Sequence, residues 1–264
     1  MDIRNRSIVV TGAGGGIGAA MARRFAAEGA RGVTVADIDG DAALQVAESI
    51  GGLAVEADAS VEQSIQAVVA AAEEAYGQID IFCSNAGIAT AGGFELDDTV
   101  WEKTWDVNVM AHVYAARAVV PGMLKRGEGY LVNTASAAGL LTNIGAAPYS
   151  VTKHAAVAFA EWLSVTYGNA GLRVSALCPQ FVNTAMLDVM VSDPATAAWV
   201  SQATIEPEDV ADAVVEGIAA ERFLILPHRE VLEFFQRKAT DYERWLAGMR
   251  NLQAQLDGSA SDSE

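Results

Sequence analysis

A tyrosine and a lysine stand four positions apart in the segment APYSVTKHAAVAFAEWL, residues 146–162. This spacing puts Tyr149 and Lys153 on one face of a helix, and Pro148 suits the first turn of that helix. A free tyrosine, with a pKa of about 10, is a poor base near neutral pH, but a cation one turn away typically lowers a pKa by roughly 1 to 3 units. The pair could therefore act as a general base for a hydroxyl proton. Two surface residues on one helix face would show the same spacing.

A glycine-rich segment, VVTGAGGGIGAAMARRF, follows the first apolar run. Its pattern is T-G-x-x-x-G-x-G, carried by Thr11, Gly12, Gly16 and Gly18, whereas a strict G-x-G-x-x-G fails because its sixth place is Ile17. Glycines permit a tight turn and a close approach of backbone to ligand, and the N-terminus of the next helix offers unpaired N–H groups and a positive dipole end. The segment therefore predicts a site for the pyrophosphate of a dinucleotide rather than a merely flexible turn.

Two carboxylates follow the next two apolar runs. Asp37 can accept hydrogen bonds from a ribose 2′-OH and would repel a 2′-phosphate. The glycine loop over residues 12–18 contains no arginine or lysine, and neither do the residues beside Asp37, since Ile38 and Asp39 follow it. The predicted cofactor is therefore NAD rather than NADP. Asp58 is similarly placed to bond an adenine amino group, or to cap a helix that starts at Ser60.

Composition excludes several classes of protein. The 264 residues carry a formal charge of −17 with no basic patch, so we expect no nucleic-acid partner. No apolar run reaches the roughly 18 residues of a membrane span, and the polar first residues argue against a secretory signal. Cys83, Cys178 and the three histidines lack metal-ligand spacing, so we expect buried thiols in a reducing cytoplasm and no metal site.

Apolar β-branched runs alternate with longer stretches of helical period. The predicted strands are 7–11, 32–37, 53–58, 79–84, 129–136, 172–178 and 222–227, and the predicted helices are 16–28, 41–50, 61–76, 97–125, 147–169 and 207–220. Continuous Val/Ile/Leu runs indicate strands covered on both faces, hence a parallel sheet. The alternation predicts one α/β domain with a Rossmann-type, doubly wound parallel sheet of about seven strands flanked by helices.

The remaining segments depart from this alternation. Residues 86–100 form a connection after the fourth predicted strand, and 180–206 form an insertion after the sixth. We expect the domain to span 1–256, with a C-terminal helical extension over about 228–256 and an acidic, mobile tail over 257–264.

Taken together, these segments resemble the short-chain dehydrogenase/reductase family over about residues 5–227, with the motifs in family order. TGAGGGIG resembles its cofactor loop, NAG at 85–87 resembles the motif that stabilises the central sheet and borders the cofactor, and Tyr149–Lys153 resembles its YxxxK. Asn108 in WDVNV and Ser136 in NTASAAG resemble its active-site asparagine and serine. The segment CPQFVNT resembles its PG-motif segment. The resemblance implies an NAD-dependent short-chain alcohol dehydrogenase/reductase.

The resemblance also implies a role for each matching residue. Tyr149 would be the general acid/base, and Ser136 would hydrogen-bond the substrate oxygen. Lys153 would contact the nicotinamide ribose, and Asn108 would hold a water that links Lys153 to solvent. Val182 and Thr184 would hold the nicotinamide carboxamide. The residues predicted to bind the cofactor are Gly12, Gly14, Gly16, Ile17, Gly18, Asp37, Ile38, Asp58, Ala59, Asn85, Ala86, Gly87, Tyr149, Lys153, Pro179, Val182 and Thr184.

The predicted substrate pocket is predominantly apolar. Its candidate residues are Ile88, Ala138, Leu140, Ile144, Gln180, Phe181, Met186 and Met190. Since this set has no arginine or lysine to bind a carboxylate or phosphate, we expect an uncharged, lipophilic secondary alcohol or ketone as substrate. The apolar residues of 180–206 could instead cap the core or build an interface. Gln180 stands where the family usually has glycine, and its amide could orient the substrate or point to solvent.

Two other functions fit parts of the pattern. An NADPH-dependent 3-oxoacyl-type reductase is opposed by Asp37, and a non-catalytic dinucleotide-binding regulator is opposed by the intact set of Ser136, Tyr149 and Lys153. By the same resemblance we expect a homotetramer or homodimer formed through the helices that hold Asn108 and Tyr149. The aromatic C-terminal helix could add a dimer contact or fold over its own domain.

Overall fold

The computed structural model describes residues 1–190 and 200–261, and in them it contains a seven-stranded sheet in the order β3-β2-β1-β4-β5-β6-β7. Every strand pairing in it is parallel. The strands are β1 (Ser7–Thr11), β2 (Gly32–Asp37), β3 (Leu53–Glu56), β4 (Ile81–Ser84), β5 (Gly129–Thr134), β6 (Leu172–Leu177) and β7 (Leu224–Ile225). This sheet confirms the predicted doubly wound α/β fold.

Helices cover both faces of the sheet. They are α1 (Gly16–Ala27), α2 (Gly40–Ile50), α3 (Glu62–Tyr76), α4 (Asp98–Trp105), α5 (Ala111–Arg126), α6 (Ala138–Leu141), α7 (Ala147–Tyr167), α8 (Ala185–Met190), α9 (Pro207–Ala219), α10 (Glu230–Thr240) and α11 (Tyr242–Ser261). A π-helical turn (Asp106–Met110) joins α4 to α5, and a 3₁₀ turn (Gly168–Ala170) follows α7. Within the described ranges, no helix combines the length and the apolar character that crossing a membrane requires.

The side chains of the sheet alternate between two hydrophobic layers, which is why the strands are unbroken apolar runs in the sequence. On β1, Val9 belongs to the layer that contains Phe82 and Leu131, whereas its neighbours Ile8 and Val10 belong to the opposite layer. Each fully buried aliphatic or aromatic side chain contributes about 1.5 to 3 kcal/mol to folding. The two layers together therefore hold the sheet rigid beneath the site.

Predicted and observed boundaries differ where the chain leaves the sheet. β3 and β5 end at Glu56 and Thr134, before the predicted strand ends at Asp58 and Ser136. The hydrogen bonds between strands stop at the carboxyl edge of the sheet. Asp58 and Ser136 therefore lie in the loops that follow β3 and β5. The single helix predicted over 97–125 is divided by the π-helical turn.

The C-terminal extension is longer than expected. α11 continues to Ser261, so the tail predicted from residue 257 is helical over its first residues, where no proline interrupts the backbone hydrogen bonds. Residues 262–264 lie outside the described part of the chain, as do residues 191–199 of the predicted insertion.

A reversal of strand order positions the site. β1 lies between β2 and β4, so the chain that leaves β1 turns to one side of the sheet and the chain that leaves β4 turns to the other. Such a divergence opens a crevice outside the carboxyl ends of the two strands. The glycine turn follows β1 and the 85–97 loop follows β4, so both border this crevice.

Candidate active site

A cavity of about 1290 Å³ runs along the carboxyl edge of the sheet. It exceeds the roughly 300–1,000 Å³ that is usual for one drug-sized ligand, so it has room for two. Its wall includes the predicted residues Gly12, Gly16, Ile17, Gly18, Asp37, Ile38, Asp58, Ala59, Asn85, Ala86, Gly87, Ile88, Ser136, Ala138, Ile144, Tyr149, Lys153, Pro179, Gln180, Phe181, Val182, Thr184 and Met186. Gly14, Asn108 and Leu140 are not in the wall, and the side chain of Met190 lies outside the described residues.

The glycine turn requires glycine at two positions for different reasons. Gly12 has a φ of +62°, and a Cβ there would lie 2.7 Å from the main-chain Cα of Ala86. A Cβ on Gly18 would lie 2.1 Å from the carbonyl oxygen of Gly12. The first turn of α1 has no side-chain cap at Gly15, so unpaired N–H groups at its N-terminus can bind an anion.

Asp37 is held by the glycine turn itself. The Gly14 N–H donates to one carboxylate oxygen of Asp37 at 2.8 Å, and the Asp39 N–H donates to the other at 3.0 Å. The contact explains why Gly14, a predicted cofactor residue, faces Asp37 instead of the cavity. Sequence spacing offered no signal for it. Among the neighbouring wall residues Ile38, Ala57, Asp58, Ala59 and Ser60, none is basic.

Asp58 forms a local turn rather than a helix cap. Its Oδ1 accepts hydrogen bonds from the main-chain N–H of Ser60 at 2.9 Å and from the Ser60 hydroxyl at 2.7 Å. α3 starts two residues later, at Glu62, with Val61 as its N-cap. The alternative that Asp58 caps a helix starting at Ser60 is therefore wrong, and Asp58 faces the cavity beside Asp37.

Asn85 ties three parts of the site together. Its Nδ2 donates to the carbonyl oxygens of Thr11 at 3.1 Å and Gly12 at 3.2 Å, and its Oδ1 accepts from the Thr134 hydroxyl at 3.1 Å. Its own N–H donates to Thr11 Oγ1 at 3.0 Å. One side chain thus links β1, the glycine turn and the end of β5.

Tyr149, Lys153 and Ser136 lie together and away from solvent. Tyr149 is 8% exposed and Lys153 is 2% exposed, so the interpretation as two surface residues is wrong. Lys153 Nζ donates to the Thr134 carbonyl at 3.0 Å and lies 5.6 Å from the centroid of the Tyr149 ring. The Ser136 hydroxyl accepts from the Ala138 N–H at 3.1 Å and interacts with the Tyr149 side chain. Pro148 stands in the first turn of α7, as predicted.

Burial dominates the acid–base properties of this group. It raises the pKa of Tyr149 above its usual value, and the hydrogen bond from Ser136 opposes that rise. Burial also lowers the pKa of Lys153 to about 8. The expectation that Lys153 lowers the pKa of Tyr149 is thus not met in the protein chain alone, where desolvation of the phenolate is the largest effect on this pKa.

Asn108 lies behind the cavity in the π-helical turn. Its Oδ1 accepts from the Ile88 N–H at 2.9 Å, and its Nδ2 donates to the Ile88 carbonyl at 3.0 Å and to Thr152 Oγ1 at 3.2 Å. A Cβ on Gly87 would lie 3.3 Å from both Asn108 Oδ1 and Lys153 Nζ. The amide therefore fixes the 85–97 loop against α7, and both of its hydrogens are used by the protein.

The C-terminal helices form a wall of the cavity that the sequence analysis did not assign to the site. α10 and α11 contribute Phe234, Arg237, Trp245, Met249, Leu252 and Leu256. The sequence did contain a signal for this wall. Trp245, Met249, Leu252 and Leu256 are spaced by four, three and four residues, which places them on one face of a helix. The wall also contains Arg237 and Lys103, two cations that the predicted set of substrate-pocket residues did not include.

The main chain of Gln180 is held by the side chain of His228. Its N–H donates to His228 Nδ1 at 3.1 Å, and its side-chain Oε1 is buried without a hydrogen-bond partner. That oxygen does not point to solvent, which removes one of the two alternatives. His228 in turn places Nε2 3.1 Å from the Ala203 carbonyl, so it joins the loop after β6 to the residues that precede α9.

The histidines do not form a metal site. His112 is buried, and that burial, together with Lys153, lowers its pKa to about 3. His154 Nδ1 lies 2.8 Å from the Ser150 carbonyl, on the same helix. In the part of the chain that the structure describes, no three His, Cys, Asp or Glu side chains group as metal ligands would.

The fold and the site together define a dinucleotide-binding oxidoreductase of the Rossmann type, and comparison with known proteins gives its family. The short chain dehydrogenase model matches residues 6–195, and the chain belongs to that family. It is 36% identical over 239 residues to 1-deoxy-11-beta-hydroxypentalenate dehydrogenase from Streptomyces exfoliatus, covering 87% of this chain and 86% of that protein.

Two solved structures are similar over most of the chain. A short chain dehydrogenase/reductase from Burkholderia phymatum in complex with NAD superposes with a TM-score of 0.83 at 31% identity, over 92% of this chain and 96% of the other. A 7 alpha-hydroxysteroid dehydrogenase complexed with NADH and 7-oxo glycochenodeoxycholic acid superposes with a TM-score of 0.79 at 28% identity. The match covers 85% of this chain and 94% of the other.

Proposed function

We propose that this protein is an NAD-dependent oxidoreductase that interconverts an uncharged, lipophilic secondary alcohol and its ketone by hydride transfer. The observation that carries the proposal is the convergence of Ser136, Tyr149 and Lys153 in the wall of the cavity that also contains the glycine turn and Asp37. Oxidation of an alcohol requires a hydride acceptor and a proton acceptor at the same carbinol, and this cavity offers a place for each.

The residues present fit a dinucleotide with a free ribose 2′-hydroxyl. The glycine turn brings its main chain to the cavity, beside the uncapped start of α1. Each oxygen of Asp37 accepts one main-chain N–H and keeps capacity for a further donor such as a ribose hydroxyl. A 2′-phosphate would meet this carboxylate with no basic side chain among the adjoining wall residues. When bound, the nicotinamide supplies the hydride acceptor or donor and, in its oxidised form, a positive charge.

Tyr149 would take the proton of the alcohol hydroxyl and return it during ketone reduction. Ser136, which lies with Tyr149 in the cavity wall, would donate to the substrate oxygen and stabilise the charge that develops on it. Because burial raises the pKa of Tyr149, nearby positive charge is needed for it to act as a base, and the Lys153 ammonium supplies part of it. Asn108 would keep the Ile88 loop and α7 in register around these groups.

An apolar substrate suits the rest of the cavity. Ile88, Ile144, Phe181 and Met186 line it, together with the apolar side chains of α11. Arg237 is 67% exposed, forms an ion pair with Glu233 and packs over Phe234, so its charge is already compensated. A hydroxypentalenate dehydrogenase and a hydroxysteroid dehydrogenase are among the similar proteins, which supports an alcohol on a large hydrocarbon skeleton.

A screen of uncharged secondary alcohols with NAD, and separately with NADP, tests the proposal by the absorbance of reduced cofactor. Turnover with NAD is expected, and Tyr149→Phe should lose about 10²- to 10⁴-fold of it while still binding NADH. A marked preference for NADP would overturn the role of Asp37. Unchanged turnover by Tyr149→Phe would overturn the mechanism.

We further propose that the protein is a homodimer or homotetramer assembled through α7. This helix leaves Val151, Trp162 and Val165 exposed, at 49%, 54% and 85%. Covering such apolar side chains in an interface is favourable. Sedimentation of the wild type and of Trp162→Glu, which would place a charge in that interface, would measure the assembly.

The proposed location is the cytoplasm and the proposed unit is a single domain over residues 1–256. Both cysteines, Cys83 and Cys178, are free and buried, which suits a reducing compartment. A single cooperative unfolding transition would support the one-domain assignment.

A further inference from the structure

An apolar stripe on α11, defined by Trp245, Met249, Leu252 and Leu256, faces the cavity. Their spacing of four, three and four residues places them on one face of the helix. All four lie in the cavity wall and are only partly buried by protein. At 1.5 Å per residue the stripe extends about 16 Å along the helix. A surface of this length matches an elongated hydrocarbon better than a small alcohol.

α10 anchors the extension on the side of the proposed catalytic group. Lys238 is 7% exposed, and its Nζ donates to the Leu140 carbonyl at 2.7 Å. The same ammonium lies 5.6 Å from the centroid of the Tyr242 ring, at the start of α11. Val231 is fully buried. Since α6, which contains Leu140, begins two residues after Ser136, the stripe is held in a defined position relative to Tyr149.

The stripe lines the same cavity as the predicted cofactor residues. The wall of this cavity contains the predicted substrate-pocket residues Phe181 and Met186 as well as the four side chains of the stripe. Tyr149 and the stripe line one cavity, so a ligand that is long enough can contact both. A carbon skeleton in that position would cover the apolar face that the protein leaves partly exposed.

We propose that the stripe binds the hydrocarbon body of the substrate, and that Met249 and Leu252 are specificity-determining residues that favour long or polycyclic secondary alcohols over small ones. This inference rests on the proposed function and adds the size of the substrate to it. Each methylene that the stripe removes from water should raise kcat/KM about two- to fourfold. The gain should stop once the chain is longer than the stripe.

The test is a homologous series of 2-butanol, 2-hexanol, 2-octanol and 2-decanol with NAD. In the wild type, kcat/KM should rise about two- to fourfold per methylene. The Met249→Ala/Leu252→Ala double variant should lose at least about tenfold with 2-decanol and less than about twofold with 2-butanol, because only the longer chain reaches the stripe. Leu246→Ala is the matched control, since Leu246 is on the same helix, is 39% exposed and is not in the cavity wall.

A binding measurement separates this inference from the proposed function. Tryptophan emission titrated with 2-decanone should change in the wild type and in Leu246→Ala, and the Trp245→Phe variant shows whether Trp245 is the source. If no alcohol is oxidised but the double variant alone binds 2-decanone at least about tenfold more weakly, the proposed function fails and the stripe inference stands.

The opposite outcome is equally clear. If alcohols are oxidised with a kcat/KM that is independent of chain length, and the double variant behaves like Leu246→Ala, the inference is overturned while the function stands. Sedimentation of the double variant adds a second check, because a smaller assembly with an unaltered chain-length series would mean that another copy of this chain covers the stripe.

Discussion

The Lys153 ammonium lies 5.6 Å from the centroid of the Tyr149 ring, one turn further along α7, and both side chains are buried. Its hydrogen bond goes to the Thr134 carbonyl at the end of β5. The cation is therefore close enough to attract a phenolate but is held by the sheet. Because burial penalises both charged forms, the pKa of Tyr149 is raised and that of Lys153 is lowered to about 8. A bound positive charge beside them would shift this balance toward the phenolate.

Alcohol oxidation is expected to accelerate with pH, and ketone reduction to slow down. Oxidation needs Tyr149 as phenolate to accept a proton, whereas reduction needs it as phenol to donate one. Since burial raises the pKa of Tyr149, oxidation should continue to rise on the alkaline side of neutral pH. Measurement of kcat/KM in both directions from about pH 6 to 10 tests this, with Tyr114→Phe as control because Tyr114 is not in the cavity wall. Oxidation that is independent of pH would contradict it.

Lys153→Met should lose activity without losing stability at neutral pH. Burial lowers the pKa of Lys153 from 10.5 to about 8, so keeping it charged in the folded state costs on the order of 3 kcal/mol. Loss of the hydrogen bond to Thr134 offsets about 1 to 3 kcal/mol of the gain from removing that charge.

The dependence of stability on pH tests whether burial is the cause of the lowered pKa of Lys153. Between the folded value of about 8 and the unfolded value of 10.5, the unfolded chain binds more protons at this site, so wild-type stability should rise with pH relative to Lys153→Met. Urea unfolding of both proteins at about pH 7 and 9.5 measures the trend. A wild type that weakens relative to the variant over this range would refute the assignment of burial as the cause.

Gly12→Ala and Gly15→Ala form a matched pair in the glycine turn. Alanine at position 12 would need a φ of +62° and would place its Cβ 2.7 Å from the Ala86 Cα, so a loss of at least about 1 to 3 kcal/mol is expected. At position 15 the φ is −160° and a Cβ would meet nothing within 4 Å, so stability should change by less than about 0.5 kcal/mol. Urea midpoints measure both variants. Equal losses would show that the turn is not constrained as described.

Asp37→Ser should shift the cofactor preference toward NADP. The change removes the carboxylate that a 2′-phosphate would meet, and at least about a tenfold change in the NAD/NADP ratio of kcat/KM is expected. Asp39→Ser is the control, because Asp39 caps α2 by accepting from the Ala42 N–H and serine preserves that role. An unchanged ratio in Asp37→Ser, or an equal change in Asp39→Ser, would remove Asp37 from cofactor selection.

Local patterns predicted the features that depend on short stretches of chain. Alternating apolar runs and helical periods gave all seven strands in order, because two-sided burial leaves a continuous apolar run at each strand. The positive φ at Gly12 was also predictable, because glycine is the residue type that adopts a positive φ without strain. Boundaries were less accurate, and the π-helical turn around Asn108 had no local signal, since its amide partners are Ile88 and Thr152 from other segments.

The sequence alone determined the order of elements, the family resemblance and the chemical groups available for a dinucleotide and a proton transfer, because these follow from residue type and near-neighbour spacing. Tertiary structure decided which of those groups share a cavity. It also decided that the Gly14 N–H donates to Asp37 and that burial raises the pKa of Tyr149. It also decided where the C-terminal extension lies, through a hydrogen bond between Lys238 and Leu140. Burial and desolvation arise from contacts between residues far apart in the chain, and no local pattern encodes them.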